Sequence, residues 1–115
     1  MKLKLNEKQV TDQCIGWLRA KGYVCERVQS GLMMTKDGRR MRVGSPGALD
    51  WNIFKGAKYF KLEMKATGKK PSVDQDIYMA LAAERGMPCI WADSLQMLEA
   101  KMAEQAKDER KEKSE

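Results

Sequence analysis

Histidine is absent from this chain of 115 residues, and cysteine and proline occur only three times each. Without histidine there is no Ser-His-Asp or Cys-His catalysis and no imidazole general base. Cys14, Cys25 and Cys89 are far apart and form no Cys-x-x-Cys pattern, so we expect buried, reduced thiols rather than a structural zinc site. Any chemistry must come from carboxylates, lysine and water, with or without a hard metal ion.

Long apolar runs are also missing. No segment approaches the roughly 18 residues that span a membrane, and the start, MKLKL, is too short for the apolar part of a signal peptide. We therefore expect a cytosolic protein without a membrane partner. The length suits one domain with one core, which is predicted at residues 1–106. Residues 107–115 contain no apolar side chain and are predicted to form a fraying helix end or a disordered tail.

What the chain has in excess is positive charge. Its 22 lysines and arginines outnumber its 16 acidic residues, and the net charge of +6 favours a polyanionic partner, although many basic proteins bind no nucleic acid. Arg39, Arg40 and Arg42 lie on the second arm of a hairpin predicted around an Asp-Gly turn. We favour contact of these guanidinium groups with a phosphate backbone over a solvated edge strand protected by charge. Lys69 and Lys70, in a polar loop, are predicted to be exposed and to add backbone contacts.

The apolar pattern predicts an α/β protein. Helices are predicted at residues 6–21, at residues 72–85 and from Ser94 onward, with Asn6 and Ser72 as N-caps. Three or four strands precede the second helix and one follows it, which gives the order α-β-β-β-β-α-β-α. We expect a sandwich around a central mixed β-sheet flanked by helices, with antiparallel hairpins first and a helical crossover into a parallel neighbour later. The residues of the second helix predicted to face inward are Ile77, Ala80, Leu81 and Ala83.

The centre of the chain is the stretch GALDWNIFKGAKYFKLEMK at residues 47–65, which is predicted to form two strands joined by a turn at residues 55–58. Apolar and polar residues alternate in both strands, so each strand has one face to bury and one polar face. If the strands pair as a hairpin, Asp50 and Glu63 lie on the same side, away from the turn, with Lys65 next to Glu63. Two carboxylates and one ammonium group placed in this way form a divalent-metal site with a lysine beside it.

Simpler explanations exist for the same three residues. Asp50 as a turn former at a strand end is one alternative, and Glu63 and Lys65 on the solvated face of an edge strand are another. We favour the metal site, because aspartate is depleted in strands flanked by apolar residues. Both strands also have apolar inner faces, which is typical of the centre of a sheet.

The spacing of Asp50 and Glu63-x-Lys65 resembles the PD-(D/E)xK nuclease pattern. The likeness extends to Glu7 at the start of the first helix, Ser30-Gly31 after the first strand, a Gly-x-x-Asp segment, the strand KLEMK and SVDQ on the next helix. Together these features make residues 7–98 similar to the virus-type replication-repair nuclease (VRR-NUC) family. Leu49 is a departure, since the wider superfamily usually has proline before the aspartate.

This resemblance implies a restriction-endonuclease-like fold and a metal-dependent DNA endonuclease. Stand-alone members of the family are small homodimers that act on branched DNA such as four-way junctions. The resemblance thus implies a structure-selective resolvase of phage or prophage origin. Two alternatives stay open: a nucleic-acid-binding module that keeps the fold without turnover, and a basic protein-interaction domain.

The resemblance also implies a metal-ligand set. Asp50, Glu63 and the backbone carbonyl of Met64 would hold Mg²⁺ or Mn²⁺, and Glu7 would reach the ion directly or through water. For Glu7 there is an equally good explanation, because an acid in the first turn of a helix is stabilised by the helix dipole.

The remaining roles implied by the resemblance concern catalysis and DNA contact. Lys65 would orient the attacking water or neutralise charge in the transition state. Gln75 would hold the lysine or the water, although helix capping alone also explains this glutamine. The residues predicted to contact DNA are Ser30, Arg39, Arg40, Arg42, Lys69 and Lys70.

Overall fold

Three helices and six strands make up the computed structural model of the protein, which describes residues 3–28, 31–34, 36–43 and 47–113, with the backbone alone for 31–34, 40–43 and 109–113. The elements are, in chain order, α1 (Glu7–Ala20), β1 (Val24–Arg27), β2 (Gly31–Met34), β3 (Arg40–Val43), β4 (Trp51–Lys55), β5 (Lys58–Met64), α2 (Val73–Glu84), β6 (Cys89–Ala92) and α3 (Leu95–Lys113). Five strands therefore separate α1 from α2, one more than the predicted order allowed.

The main sheet has four strands in the order β1-β4-β5-β6. β4 pairs antiparallel with both β1 and β5, and β5 pairs parallel with β6 through the α2 crossover. This confirms the predicted mixed sheet of an α/β protein. The extra strand arises because β2 and β3 form a separate two-stranded antiparallel sheet around the Asp-Gly turn. The hairpin between β4 and β5 closes at the pair Lys55 and Lys58, so two residues form the predicted turn.

Both predicted helix caps are present. The Asn6 carboxamide oxygen accepts the N–H of Gln9 at 2.8 Å, and the side chain of Gln9 accepts the N–H of Asn6 at 2.9 Å. Ser72 and Gln75 form the same reciprocal pair at the start of α2, at 3.1 and 3.0 Å. Each cap satisfies two backbone N–H groups that have no partner within the helix, which fixes where α1 and α2 begin.

The hydrophobic core lies between the sheet and the helices α1 and α3. α1 contributes one apolar stripe, as its periodicity predicts, and α3 contributes Leu98. Lys101 of α3 closes over this part of the sheet, with its Nζ 4.0 Å from the ring centroid of Trp91 and 2.7 Å from the Trp91 carbonyl oxygen. The buried residues of the core are Val10, Cys14, Ile15, Leu18, Ile53, Phe60, Leu62, Met64, Ile90, Ala92 and Leu98.

α2 contributes no buried residue to this core, and the prediction of its inward face is wrong. Ile77 is 53% exposed and Leu81 is 47% exposed. Ala80 and Ala83 are exposed as well. The sequence IYMALAA is apolar all round the helix, so its periodicity does not select a face. The half-buried residues on the side of α2 that faces the protein are Gln75, Tyr78, Met79 and Ala82.

All three cysteines are free thiols, as predicted. Burial raises the pKa of Cys14 to about 11, so this thiol is inert at neutral pH. Cys25 and Cys89 are only half-buried, so the expected burial holds in full for Cys14 alone.

Among the described helices, none is long and apolar enough to cross a bilayer.

α3 continues to Lys113, so the charged segment after residue 106 is helical as far as that residue.

Candidate active site

The pairing of β4 with β5 places Asp50 beside Glu63. Trp51 is opposite Leu62, so the residue before β4 lies opposite Glu63 at the end of the hairpin away from its turn. The backbone N–H of Asp50 donates to Glu63 Oε1 at 3.1 Å. On its other side, the Asp50 carbonyl accepts the N–H of Val28 at 2.7 Å. The predicted juxtaposition of the two acids is therefore present, and the backbone of Asp50 is held between β1 and β5.

Leu49, which departs from the proline of the resembled superfamily, is 1% exposed. A buried leucine next to Asp50 anchors the segment by packing, which gives the aspartate a fixed position without a proline ring. Gly47, two residues earlier, is the other anchor. It has a φ of 76°, and a Cβ at this position would overlap with the backbone carbonyl of Asp74 in α2.

Glu63 is a buried acid in the middle of the sheet. It is 3% exposed, and its strand lies between β4 and β6. Lys65 Nζ is 3.3 Å from Glu63 Oε2, and the lysine side chain is 17% exposed. These positions exclude the alternative of an exposed edge strand for Glu63 and Lys65.

The environment of Glu63 raises the pKa of its carboxyl group. Burial is the largest cause, and the nearby charge of Asp50 adds to it. The ammonium of Lys65 and the N–H of Asp50 act in the opposite direction, but they do not cancel the effect of burial. Two acids thus approach each other in a poorly solvated place with one lysine beside them.

A cleft of about 460 Å³ opens next to this acid pair, between α1 and the sheet. Three of the predicted site residues line it: Glu7 from the first turn of α1, Asp50, and Met64 from the end of β5. Glu63 does not line the cleft but contacts Asp50, which does. The residues that line the cleft therefore come from elements that are distant in the chain, and the cleft lies where α1 meets the sheet.

The donor atoms of the acid pair fit a hard divalent cation. Mg²⁺ and Mn²⁺ prefer carboxylate, carbonyl and water oxygens. A cation between Asp50 and Glu63 would offset the burial of the Glu63 charge and its repulsion from Asp50, which together raise the pKa of Glu63. Among the described residues, no group of three or more acidic, histidine or cysteine side chains is arranged to hold a metal. Glu7 lines the same cleft but is thus not grouped with the pair.

Gln75 serves as a helix cap. Its side-chain oxygen accepts the backbone N–H of Ser72 at 3.0 Å, and no hydrogen bond joins it to Lys65 among the contacts of the described residues. The capping explanation accounts for what the structure describes of this glutamine.

Three of the residues predicted to contact DNA have described side chains, and none of these three lines the cleft. Lys69 and Lys70 are exposed in the loop before α2. The exposed Arg39 has its Nε 3.3 Å from Asp37 Oδ2. Arg40 and Arg42 belong to β3, where only the backbone is described, and Ser30 lies outside the described residues.

The residues that also line this cleft and were not predicted as site residues include Gly16, Arg19 and Arg27. A glycine inside a predicted helix was the available signal for the first, because glycine disfavours helices. Arg19 and Arg27 carry no local motif, and only the packing of α1 on the sheet brings them to the cleft.

The fold and the site define an α/β protein in which a buried glutamate, a half-buried aspartate and a lysine meet at the end of two neighbouring strands. Comparison of the chain with protein-family models, with curated proteins and with solved structures found no match.

Proposed function

We propose that the protein is a metal-dependent DNA endonuclease with a restriction-endonuclease-like fold of the VRR-NUC type. The observation that carries this proposal is the buried carboxylate of Glu63, held by the N–H of Asp50 at 3.1 Å and by Lys65 at 3.3 Å. Burying an acid in this way opposes folding unless another gain offsets it, and perturbed acids beside a cleft are typical of catalytic sites. The mixed sheet, with Asp50 directly before β4 and Glu63 opposite it on β5, supports the fold assignment.

In the proposed mechanism, Mg²⁺ or Mn²⁺ would be held by Asp50, Glu63 and the carbonyl of Met64. The bound ion supplies Lewis-acid activation of the phosphate and a more acidic water. Glu63 fixes the position of the Lys65 ammonium through their ion pair. Lys65 stabilises the negative charge that develops on the phosphoryl oxygens, or orients the attacking water. Glu7, on the α1 wall of the cleft, would reach the ion directly or through water.

The proposed substrate is branched DNA, and the proposed assembly is a homodimer. The net charge of +6 supports a polyanionic substrate. The exposed apolar face of α2, formed by Val73, Ile77 and Leu81, supports association with a second copy. A two-fold dimer presents two equivalent sites to the two strands of a symmetric junction.

The direct test is cleavage of a labelled four-way junction and a matched linear duplex with Mg²⁺, Mn²⁺ or EDTA. We expect metal-dependent nicking that Asp50→Ala and Lys65→Ala each reduce by at least a hundredfold, as loss of a transition-state contact does. Lys58→Ala and Asp108→Ala are matched controls, because both residues are exposed and lie outside the site, and they should cleave normally. Undiminished cleavage by both site variants would remove the assignment.

A second candidate is a nucleic-acid-binding module without turnover. It is favoured by the acid pair having no third acidic ligand grouped with it among the described residues. This module would bind DNA with a steep salt dependence, and it would not cut DNA whichever metal is added. Calorimetric titration with Mn²⁺ distinguishes the two, since the nuclease needs an ion that binds to wild type but not to Asp50→Ala.

A further inference from the structure

Gly16 is a helical glycine with no structural purpose in the described fold. Glycine is a poor helix former, and in a helix interior it is retained when a neighbour packs too closely for a side chain. A Cβ at Gly16 would meet no atom within 4 Å, so packing does not require the glycine. The position lines the cleft beside the acid pair. What glycine provides here is open space in the cleft wall.

Two arginines line the same cleft beyond Asp50. Arg27 is paired with Trp51, the residue after Asp50, and Arg19 Nη2 lies 3.5 Å from the carbonyl oxygen of Cys25 farther along β1. Both side chains are exposed, and neither forms an ion pair with a described residue. Guanidinium groups without an acidic partner are suited to phosphate oxygens.

The charges along the cleft are ordered. Glu7 begins α1 and Arg19 lies twelve residues later, which corresponds to about 18 Å along a helix. The acids Glu7 and Asp50 lie at one end, and the arginines follow. The remaining acid, Asp12, is neutralised by Lys8 at 2.8 Å. A cation site at one end and free guanidinium groups toward the other fit an extended polyanion that lies along the cleft.

We propose that this cleft binds the DNA strand that flanks the scissile phosphate, with Arg27 and Arg19 on successive backbone phosphates and the strand passing over Gly16. This inference rests on the endonuclease proposed above. About 18 Å corresponds to roughly five nucleotides at 3.4 Å per nucleotide of one strand. Gly16 leaves room for the sugar-phosphate backbone against α1. Arg19 and Arg27 are thus binding residues, and they contact no reacting atom.

The test measures DNA affinity and protein stability on the same full-length variants. Fluorescence anisotropy with a labelled junction, in Ca²⁺ at several salt concentrations, gives affinity without cleavage. We expect Gly16→Gln to bind at least tenfold more weakly while staying folded. Gly16→Ala should unfold at a higher denaturant concentration than wild type and yet bind DNA more weakly. A gain in stability combined with a loss of affinity is a result that a purely structural glycine does not give.

The arginine variants test the ionic part of the proposal. Arg19→Ala and Arg27→Ala should each weaken binding severalfold and lower the slope of log K against log salt by about one. Lys107→Ala is the control, because Lys107 is also an exposed cation on a helix, α3, and does not line the cleft. We expect the control to bind as wild type.

Binding and cleavage by these variants distinguish strand binding in the cleft from endonuclease activity. If the Gly16 and arginine variants bind as wild type while Asp50→Ala abolishes cleavage, the cleft does not bind the strand and the endonuclease stands. If these variants weaken binding and no metal supports cleavage, the cleft binds nucleic acid and the endonuclease is wrong.

Discussion

At the scale of single residues, Glu63 determines most of the chemistry that the site can support. Burial and a neighbouring acid raise the pKa of a carboxyl group, and a cation or an ammonium group beside it compensates the charge of the ionised form. Lys65 supplies part of that compensation. Without a bound metal, we therefore expect the protein to be less stable at neutral pH than a variant that has an uncharged side chain in place of Glu63.

Glu63→Gln should stabilise the metal-free protein at neutral pH. The pKa of Glu63 is raised above the ordinary value of 4.5 in the folded state. Between these two values the folded protein keeps a proton that the unfolded chain has released, so the free energy of unfolding falls as pH rises through this interval. Each pKa unit of the shift corresponds to about 1.4 kcal/mol. The glutamine carries no titrating group and does not show this loss.

Urea denaturation in EDTA at pH 4.5 and pH 7.5 measures the effect as the difference in unfolding free energy between variant and wild type. That difference should become more favourable to Glu63→Gln at the higher pH. Glu99→Gln, at an exposed position of α3, is the control and should show no such change. A variant equally destabilised at both pH values would contradict the pKa direction.

Gly47→Ala should destabilise the protein by about 2–4 kcal/mol, from a left-handed backbone combined with overlap against the first turn of α2. Gly68→Ala separates the two causes. Gly68 also has a positive φ, of 87°, but a Cβ there meets nothing within 4 Å, so about 1–2 kcal/mol is expected. Thermal or chemical unfolding measures both variants, and equal losses would show that the approach to Asp74 has no energetic effect.

At the scale of elements, α2 connects the capping of one helix to the position of the site. Ser72 and Gln75 fix its first turn, and the Gly47 segment packs against that turn shortly before Asp50. The helix therefore supports the site by position, while its side chains stay outside the core. The structural role of Gln75 in this cap can therefore be tested separately from a catalytic role.

Gln75→Ala and Ser72→Ala should behave alike. Each removes half of the capping box, so each should lower the free energy of unfolding by about 1 kcal/mol. Because the Gln75 oxygen is occupied by the Ser72 N–H, cleavage by either variant should stay within twofold of wild type under conditions where both are folded. A loss of cleavage confined to Gln75→Ala would instead establish the role toward Lys65 or water that the family resemblance implies.

The helices and strands also show how much of the fold and the site could be predicted from the sequence alone. Alternation in residues 47–65 predicted the hairpin and the meeting of Asp50 with Glu63, because a two-residue turn fixes the register. The burial of Glu63 could not be predicted, since alternation assigns a glutamate to a polar face and only β6 and the surrounding packing cover it. The inward face of α2 was mistaken because its apolar residues surround the helix. Arg19 and Arg27 reach the cleft through tertiary packing, which leaves no local signal.

At the scale of the whole molecule, the exposed face of α2 bears on assembly. Val73, Ile77 and Leu81 are spaced four residues apart and form one apolar stripe that no described element covers. The first turn beside the stripe is acidic, and Arg85 follows the other end of the helix. Two α2 helices packed antiparallel about a two-fold axis would bury the stripe twice and bring each Arg85 toward the acidic turn of the other copy.

Ile77→Glu should therefore convert the proposed homodimer into a monomer without loss of the fold. Ile77 makes no contribution to the core, so the charge is tolerated in the monomer and is excluded only from a buried interface. Val24→Glu is the control, because Val24 is 49% exposed and lies on β1, away from α2. Light scattering after size exclusion gives the mass, and circular dichroism checks the fold.

If Val24→Glu alone dissociates the dimer, the edge of the sheet is the interface. Because each subunit carries its own acid pair and cleft, the monomer should still nick a linear duplex while losing paired cuts in a junction, which ties the assembly to the symmetry of the substrate.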